Sequence, residues 1–173
     1  MERKLKNKFA RIKLLAMDFD GVLTDGFVYV DQNGKETVRC SRRDGFGIGL
    51  LGKHGIASGV LSTEKNPVVR ARCLKLGIPY WQGLELGSDK LAVLKRVLKN
   101  AHLAPAAVAY MGDDLNDLAV MRYVGLPIAV SDAHRAVKKA AVYVTRAAGG
   151  DHAVREVIEF ILQARGETHL LGK

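Results

Sequence analysis

Residues 14–22 read Leu-Leu-Ala-Met-Asp-Phe-Asp-Gly-Val, and they place two carboxylates where an apolar run ends and a glycine begins. The run is short enough to form a buried strand. Asp18 and Asp20 are two residues apart, so both side chains point to the same side, just past the carboxyl end of that strand. Like charges about 4 Å apart repel by roughly 4 kcal/mol at an effective dielectric of about 20, which favours a bound cation or a shared proton. Taken alone, the pair is equally compatible with two turn acids that cap the next element.

Beyond this stretch, short apolar runs alternate with segments of helical spacing. The runs lie at 56–61, 80–82, 107–111, 126–130 and 142–144, and the helical segments at 44–54, 67–76, 88–101, 114–122, 133–140 and 152–165. This alternation predicts an α/β fold, a three-layer, Rossmann-like parallel sheet with helices on both faces. In such a sheet ligands bind outside the carboxyl ends of the strands, so the residues at each strand end are the candidates for a site.

A β-hairpin is predicted directly after the Asp pair. Alternating segments at 27–30 and 36–40 flank residues 31–34, Asp-Gln-Asn-Gly, in which Asn-Gly supplies the positive φ angles of a tight turn. A hairpin at this place, about 26–41, can lean over the site as a flap.

Length and charge limit the classes of protein that this chain can represent. A length of 173 residues suits one domain, and no apolar stretch approaches the ~18 to 20 residues that span a bilayer. The net charge is +9, but residues 1–13 hold six Lys or Arg and one Glu, so most of the excess lies in an N-terminal tail. We expect a solvated tail, no nucleic-acid or membrane partner, and a cytoplasmic protein with free thiols at Cys40 and Cys73.

Polar residues follow the other predicted strands. Ser62 and Thr63 come after the second run, and their hydroxyls can either bind phosphate or cap the next helix. Lys90 opens the helical segment at 88–101, where a solvated side chain is the common alternative. Residues 112–117, Gly-Asp-Asp-Leu-Asn-Asp, hold three acids in five residues, which is more than a helix cap needs.

Together these strand ends predict a phosphoryl-transfer site. Five carboxylates that converge on one crevice need a divalent cation, and aspartate, phosphate and water oxygens favour Mg²⁺. Lys90 and Ser62 then donate hydrogen bonds to the oxygens of a phosphoryl group, and an aspartate is the nucleophile.

The same motifs, in the same order, resemble those of the haloacid dehalogenase superfamily phosphatases across nearly all of residues 12–165. By this resemblance Asp18 is the nucleophile that becomes an aspartyl phosphate, and Asp20 is the general acid and base. Ser62 and Lys90 hold the transferring phosphoryl group.

The resemblance also implies a metal site. Mg²⁺ is bound by Asp18, the backbone carbonyl of Asp20, and Asp113 in this interpretation. Asp114 and Asp117 support these ligands from behind.

More detailed segments are similar to the 3-deoxy-D-manno-octulosonate 8-phosphate phosphatases and to their relatives that act on nine-carbon keto-deoxy sugar acid 9-phosphates. These segments are 21–26, 43–45, 112–117, 131–134 and 149–156. The family implies a capless domain, which we place at 12–166, between a basic N-terminal tail at 1–11 and a C-terminal tail at 167–173. It also implies a homotetramer in which a neighbour's flap and C-terminal segment help to close the site.

The substrate is read from the segment after Ser62. The octulosonate phosphatases usually resemble Thr-Gly-Arg there, whereas this chain has Thr63 and Glu64, and Glu64 with Lys75 looks more like the nine-carbon, sialic-acid-type branch. Both can also be solvated helix residues. We expect Thr63, Glu64 and Lys75 to bind substrate and Arg72, like Arg70, to be a candidate for its carboxylate.

Two rival functions remain open from the sequence. A phosphomutase would need a means of excluding water from the aspartyl phosphate, which a capless chain does not have. A noncatalytic, phosphatase-like assembly module of a sugar-nucleotide pathway would have no need of Asp18, Asp20, Lys90 and Asp113 together.

Overall fold

The structure is a computed structural model that describes residues 3–85 and 89–167. The strands are β1 (Leu14–Met17), β2 (Thr24–Val30), β3 (Glu36–Cys40), β4 (Ala57–Leu61), β5 (Tyr80–Trp81), β6 (Val108–Gly112), β7 (Leu126–Ala129) and β8 (Tyr143–Val144). The helices are α1 (Arg3–Ala10), α2 (Arg42–Lys53), α3 (Val68–Leu76), α4 (Asp89–Asn100), α5 (Leu118–Met121), α6 (Arg135–Ala140) and α7 (Ala153–Ala164). Two short 3-10 helices lie at Pro105–Ala107 and Leu115–Asp117.

Six strands form a parallel sheet in the order β5-β4-β1-β6-β7-β8. From β1 the chain moves outward through β4 to β5, and it then returns to β6 and moves the other way to β8. Right-handed crossovers therefore place α2 and α3 on one face and α4, α5 and α6 on the other. Helices α1 and α2 both pack on α7, and α5 packs on α4 and α6. The predicted α/β fold with a parallel sheet is confirmed.

The central strand β1 lies where the direction of strand order reverses. Its last residue, Met17, is paired with Val60 of β4 on one side and with Met111 of β6 on the other. All four residues of β1 are buried, as the apolar run predicts. In sheets of this kind the reversal opens a crevice at the carboxyl ends of the strands, so Asp18 lies at its floor.

The β2-β3 hairpin forms a second, two-stranded antiparallel sheet. This confirms the predicted β-hairpin after the first strand. Its apolar side chains are unusually exposed for a strand: Phe27 by 73%, Val28 by 51%, Tyr29 by 65% and Val30 by 60%.

The N-terminal segment differs from the solvated tail expected from its charge. Residues 3–10 form α1, which packs against α7, and the side chain of Phe9 is fully buried. The Phe9 ring contacts those of Tyr143 and Phe160 at centroid distances of 5.7 Å each. Lysines and arginines cover the outside of the helix, and the buried ring of Phe9 attaches the helix to the domain. The prediction of a solvated tail considered the charges and not this one apolar residue.

Within residues 3–85 and 89–167, none of the helices combines the length and the apolar character that crossing a membrane would require.

Candidate active site

Asp18 follows β1 at the floor of the crevice. Its backbone N–H donates to the carbonyl of Met111 (3.0 Å), which continues the parallel pairing one residue past the strand. Its Oδ1 accepts the N–H of Phe19 at 2.7 Å, so the carboxylate is held by its own turn. The residue is only 4% exposed. Burial, and next the charge of Asp117, raise the pKa of Asp18 well above its ordinary value, although Lys90 opposes this.

Lys90, in the first turn of α4, has no solvent exposure and bridges two carboxylates. Its Nζ donates to Oδ2 of Asp18 at 2.5 Å and to Oδ1 of Asp117 at 2.8 Å. Burial lowers the pKa of the Lys90 ammonium, but the charges of Asp18 and Asp117 outweigh it and the pKa is raised. The ammonium therefore stays charged between the two acids, and the predicted solvated alternative for Lys90 is wrong.

Asp117 is fully buried and accepts hydrogen bonds from four donors. Oδ1 accepts from Lys90 and from the hydroxyl of Tyr110 (2.6 Å). Oδ2 accepts the backbone N–H groups of Asp113 (2.9 Å) and Asp114 (3.3 Å). These four donors occupy the carboxylate, so its part is to hold Lys90 and the turn after β6.

Tyr110 was not among the residues predicted from the sequence. It lies in the middle of β6, whose five residues are all buried, and was interpreted only as part of a strand. The available signal was its hydroxyl, because a tyrosine in a fully buried strand needs a hydrogen-bond partner and the nearest polar cluster in sequence is 113–117.

Asp113 approaches the turn after Asp18 closely. A Cβ atom on Gly21 would lie 2.0 Å from Oδ2 of Asp113, so only glycine leaves room for this carboxylate. Gly21 also has a φ of +70°, in the left-handed region that favours glycine. Burial and the charge of Asp117 raise the pKa of Asp113 to about 7.

Three carboxylates form a cluster that fits a divalent cation. Oxygen atoms of Asp18, Asp113 and Asp117 all lie within 4.8 Å of one another. Because Asp117 is occupied by its four donors, Asp18 and Asp113 are the side chains available to a metal. Hard carboxylate oxygens and a surplus of negative charge suit an ion of the Mg²⁺ type.

Asp114, one of the five acids expected to converge, lies outside this cluster. It is exposed, and its Oδ1 accepts the N–H of Leu115 at 2.7 Å. With Asp117 it forms a capping box around the 3-10 helix Leu115–Asp117. The turn therefore uses Asp114 as a cap. The helix predicted at 114–122 consists of this 3-10 helix and α5 in the structure.

Asp20 lies at the rim of the crevice and is half-buried. The hydroxyl of Thr24 donates to its Oδ1 at 3.4 Å and accepts the N–H groups of Gly21 (3.2 Å) and Gly26 (3.1 Å). Thr24, which the sequence interpretation missed, thus organises the turn that carries Asp20. Burial, and next the charge of Glu64, raise the pKa of Asp20, which favours its protonated form.

Ser62 and Glu64 lie on the loop after β4. Ser62 is 1% exposed, and its Oγ accepts the N–H of Glu64 at 3.0 Å, which leaves the hydroxyl proton for an anion in the crevice. Oε1 of Glu64 accepts the N–H groups of Lys65 (2.6 Å) and Asn66 (2.7 Å). Glu64 is therefore near enough to Asp20 to affect its pKa, but the Glu64 carboxylate is hydrogen-bonded to its own loop.

For the remaining candidates for substrate binding, the structure shows no hydrogen bond to the acid cluster among the described residues. The guanidinium of Arg72 donates to the carbonyl of Ser41 (2.9 Å) and so joins α3 to the start of α2. Lys75 and Arg70 are exposed on α3, and Thr63 is half-buried beside Ser62. Contact of these four residues with a substrate stays a prediction.

Comparison with known proteins shows which family and which relatives the chain is similar to. Residues 62–158 match the model of the haloacid dehalogenase-like hydrolase family. The 3-deoxy-D-manno-octulosonate 8-phosphate phosphatase KdsC of Escherichia coli K12 is 44% identical over 161 residues, which are 92% of this chain and 84% of that protein.

Two solved structures are similar over almost the whole chain. A probable YrbI family phosphatase from Pseudomonas syringae has a TM-score of 0.93 and 40% identity, and the match covers 99% of this chain and 96% of that one. The 3-deoxy-D-manno-octulosonate 8-phosphate phosphatase of Moraxella catarrhalis, in complex with magnesium, phosphate and KDO, has a TM-score of 0.93 and 33% identity, with coverage of 99% and 98%.

Proposed function

Because this chain belongs to the haloacid dehalogenase-like hydrolase family and is a phosphatase, we propose that it hydrolyses 3-deoxy-D-manno-octulosonate 8-phosphate to the free sugar acid and inorganic phosphate. The observation that carries the proposal is the buried arrangement of Asp18, Lys90 and Asp113 at the reversal of strand order. The names of the relatives from E. coli and M. catarrhalis support the substrate.

Asp18 is the nucleophile in this proposal. A carboxylate oxygen of Asp18 attacks the phosphorus atom, and the bond from phosphorus to the sugar oxygen breaks to leave an aspartyl phosphate. The ammonium of Lys90, already 2.5 Å from Oδ2, and the hydroxyl of Ser62 donate to the phosphoryl oxygens as their charge changes. Burial of Asp18 and Lys90 strengthens these interactions because it removes competing water.

Asp20 moves protons in both halves of the reaction. It begins protonated, which its raised pKa favours, and gives its proton to the leaving sugar oxygen. The resulting carboxylate then takes a proton from water, which attacks the phosphorus atom of the aspartyl phosphate. Asp18 returns to a carboxylate, inorganic phosphate leaves, and Asp20 is protonated again.

We also propose that the metal is Mg²⁺, held by Asp18, Asp113 and the backbone carbonyl of Asp20. When bound, the ion neutralises charge on the phosphoryl group and on the two carboxylates. The fit rests on the crowded carboxylates and on the space that Gly21 leaves for Asp113.

We propose the eight-carbon substrate, although the sequence alone favoured the nine-carbon one. The nine-carbon preference depended on Glu64 as a group that faces the substrate. In the structure the Glu64 carboxylate accepts two N–H groups of its own loop, which weakens that argument. The nonulosonate 9-phosphate remains the alternative.

We further propose a homotetramer in which a neighbouring copy covers the flap. Four consecutive apolar side chains, residues 27–30, are each more than half exposed, and such a surface favours burial against protein. A contribution from the C-terminal tail at 167–173 stays a prediction, because residues 168–173 lie outside the described part of the chain. The cytoplasmic location and the lack of a nucleic-acid partner also remain predictions.

Phosphate release from the eight-carbon and nine-carbon substrates, measured in parallel with Mg²⁺ and with EDTA, tests the proposal. We expect Mg²⁺-dependent release with a higher kcat/KM for the eight-carbon substrate. A higher value for the nine-carbon substrate would transfer the proposal to that branch. Absence of release from any sugar phosphate would favour the noncatalytic assembly module, which no observation supports at present.

A further inference from the structure

Tyr110 lies directly behind Asp117 and Lys90, on the far side from Asp18 in the chain of hydrogen bonds. Its side chain is fully buried in β6, and its hydroxyl donates to Oδ1 of Asp117 at 2.6 Å. The same oxygen accepts from Lys90, whose Nζ also donates to Asp18. A continuous chain of hydrogen bonds thus runs from Tyr110 through Asp117 and Lys90 to the nucleophile.

Tyr110 and Lys90 share one oxygen of Asp117. Nζ of Lys90 lies 2.8 Å from this oxygen and 2.5 Å from Oδ2 of Asp18, so the ammonium lies nearer to the nucleophile. A hydrogen bond from Tyr110 draws electron density from Oδ1 and occupies one of its lone-pair directions. Both effects weaken the attraction of Asp117 for the ammonium.

The orientation of Asp117 also depends on Tyr110. Backbone N–H groups of Asp113 and Asp114 hold Oδ2, and the tyrosine hydroxyl is the neutral donor that holds Oδ1. Without the hydroxyl, Oδ1 would be held by Lys90 alone, and the ammonium would move towards Asp117 and away from the phosphoryl oxygens.

We propose that Tyr110 is a positioning residue that keeps the Lys90 ammonium directed towards Asp18 and the phosphoryl group by sharing the Oδ1 atom of Asp117. This role rests on the proposed function of Asp18 and Lys90. Tyr110 touches neither substrate nor metal, so its contribution is to the rate of the chemical step and not to substrate binding.

A second tyrosine in the same domain supplies a matched control. The hydroxyl of Tyr143 donates to Oε1 of Glu156 at 2.5 Å, and its ring packs against Phe9 and Phe160. Tyr143 therefore makes the same type of tyrosine–carboxylate hydrogen bond at a place without catalytic groups.

The test compares Tyr110→Phe with Tyr143→Phe in thermal unfolding and steady-state kinetics. Tyr110→Phe removes a fully buried hydroxyl and Tyr143→Phe a partly buried one, and we expect each loss to lower Tm by roughly 2–4 °C or less. We expect kcat to fall about tenfold in Tyr110→Phe alone, with KM changed less than about twofold in both variants. Equal kcat values for wild type and Tyr110→Phe would overturn the inference, since a purely structural tyrosine would behave like Tyr143.

A double-mutant cycle tests the route through Asp117. If Tyr110 acts through that carboxylate, Tyr110→Phe has little further effect on kcat in an Asp117→Asn background. If Tyr110→Phe lowered kcat by the same factor in the Asp117→Asn background as in the wild type, Tyr110 would not act through Asp117. Asp18→Asn serves to separate the two claims, because turnover by that variant at the wild-type rate would reject the nucleophilic role of Asp18 whatever Tyr110 does.

Discussion

Gly21 and Asp113 lie so close together that a methyl group on residue 21 would overlap the carboxylate: Cβ would be 2.0 Å from Oδ2. The two residues lie in the loops that follow different strands, β1 and β6, and they meet at the reversal of strand order. Asp113 can therefore occupy its position only because residue 21, at the end of the Asp-Phe-Asp-Gly segment, is a glycine.

Gly21→Ala should impair the site more than the fold. Asp113 would have to move away, so we expect kcat/KM to fall by about 100-fold or more and the Mg²⁺ concentration needed for half-maximal activity to rise. Gly34→Ala is the matched control, because Gly34 also has a positive φ, +76°, but a Cβ there meets nothing within 4 Å. Both variants carry the backbone strain of roughly 1 kcal/mol. Equal activity of the two would show that Asp113 does not need the space.

Stability of the metal-free protein should depend on pH through Asp113. Burial and Asp117 raise its folded pKa to about 7, so the folded state binds more protons than the unfolded state between about pH 4 and 7. The contribution to the free energy of unfolding therefore decreases as pH rises through this range. Urea unfolding in EDTA at several pH values measures it.

Mg²⁺ should reverse this trend if Asp113 is a ligand. An ion at about 100 times its Kd stabilises the folded state by about 2.7 kcal/mol, and it binds better when Asp113 is deprotonated. We expect a larger Mg²⁺ stabilisation at pH 7.5 than at pH 5. An Asp113→Asn variant should lose both the Asp113 contribution to the pH dependence of the free energy of unfolding and the stabilisation by Mg²⁺. If Mg²⁺ stabilised Asp113→Asn as much as the wild type, Asp113 would not be a ligand of the ion.

Arg72→Ala separates two roles for this arginine. Its hydrogen bond to the Ser41 carbonyl predicts a loss of stability of roughly 1–3 kcal/mol with little change in KM. A role in binding the substrate carboxylate predicts instead a KM at least about tenfold higher. Arg70→Ala, on the exposed side of the same helix, is the control for loss of charge. Unfolding and steady-state kinetics of the two variants decide between these roles.

The flap should control assembly and activity together. Phe27→Asp, at a side chain that is 73% exposed, places a charge in the proposed contact between copies. We expect light scattering to show smaller assemblies and kcat/KM to fall, while Tm at high protein concentration also falls. Lys35→Asp, at an exposed residue of the hairpin turn, is a control for charge on the flap. A monomeric wild-type protein with full activity would refute the tetramer.

The places of Asp18, Ser62 and Asp113 in the fold were predictable from the sequence because each directly follows a short apolar strand, and that of Lys90 because it opens a helical segment. Asp18, Ser62, Lys90 and Asp113 could be assigned to one crevice once the strands were taken as parallel. Residues behind the site were harder, because Tyr110 and Thr24 resemble ordinary strand residues until their hydroxyl partners are known. The burial of Phe9 was missed for a related reason, since the surrounding lysines and arginines dominate the pattern of α1.

The aspartyl phosphate on Asp18 is the central claim, and reduction of the enzyme during turnover tests it most directly. Borohydride converts an aspartyl phosphate to homoserine, which tandem mass spectrometry can locate in a peptide. With 3-deoxy-D-manno-octulosonate 8-phosphate and Mg²⁺, we predict homoserine at position 18 in the wild type and none in the folded but inactive Asp18→Asn variant. Phosphate release with no homoserine at position 18, or release by Asp18→Asn at the wild-type rate, would contradict this mechanism.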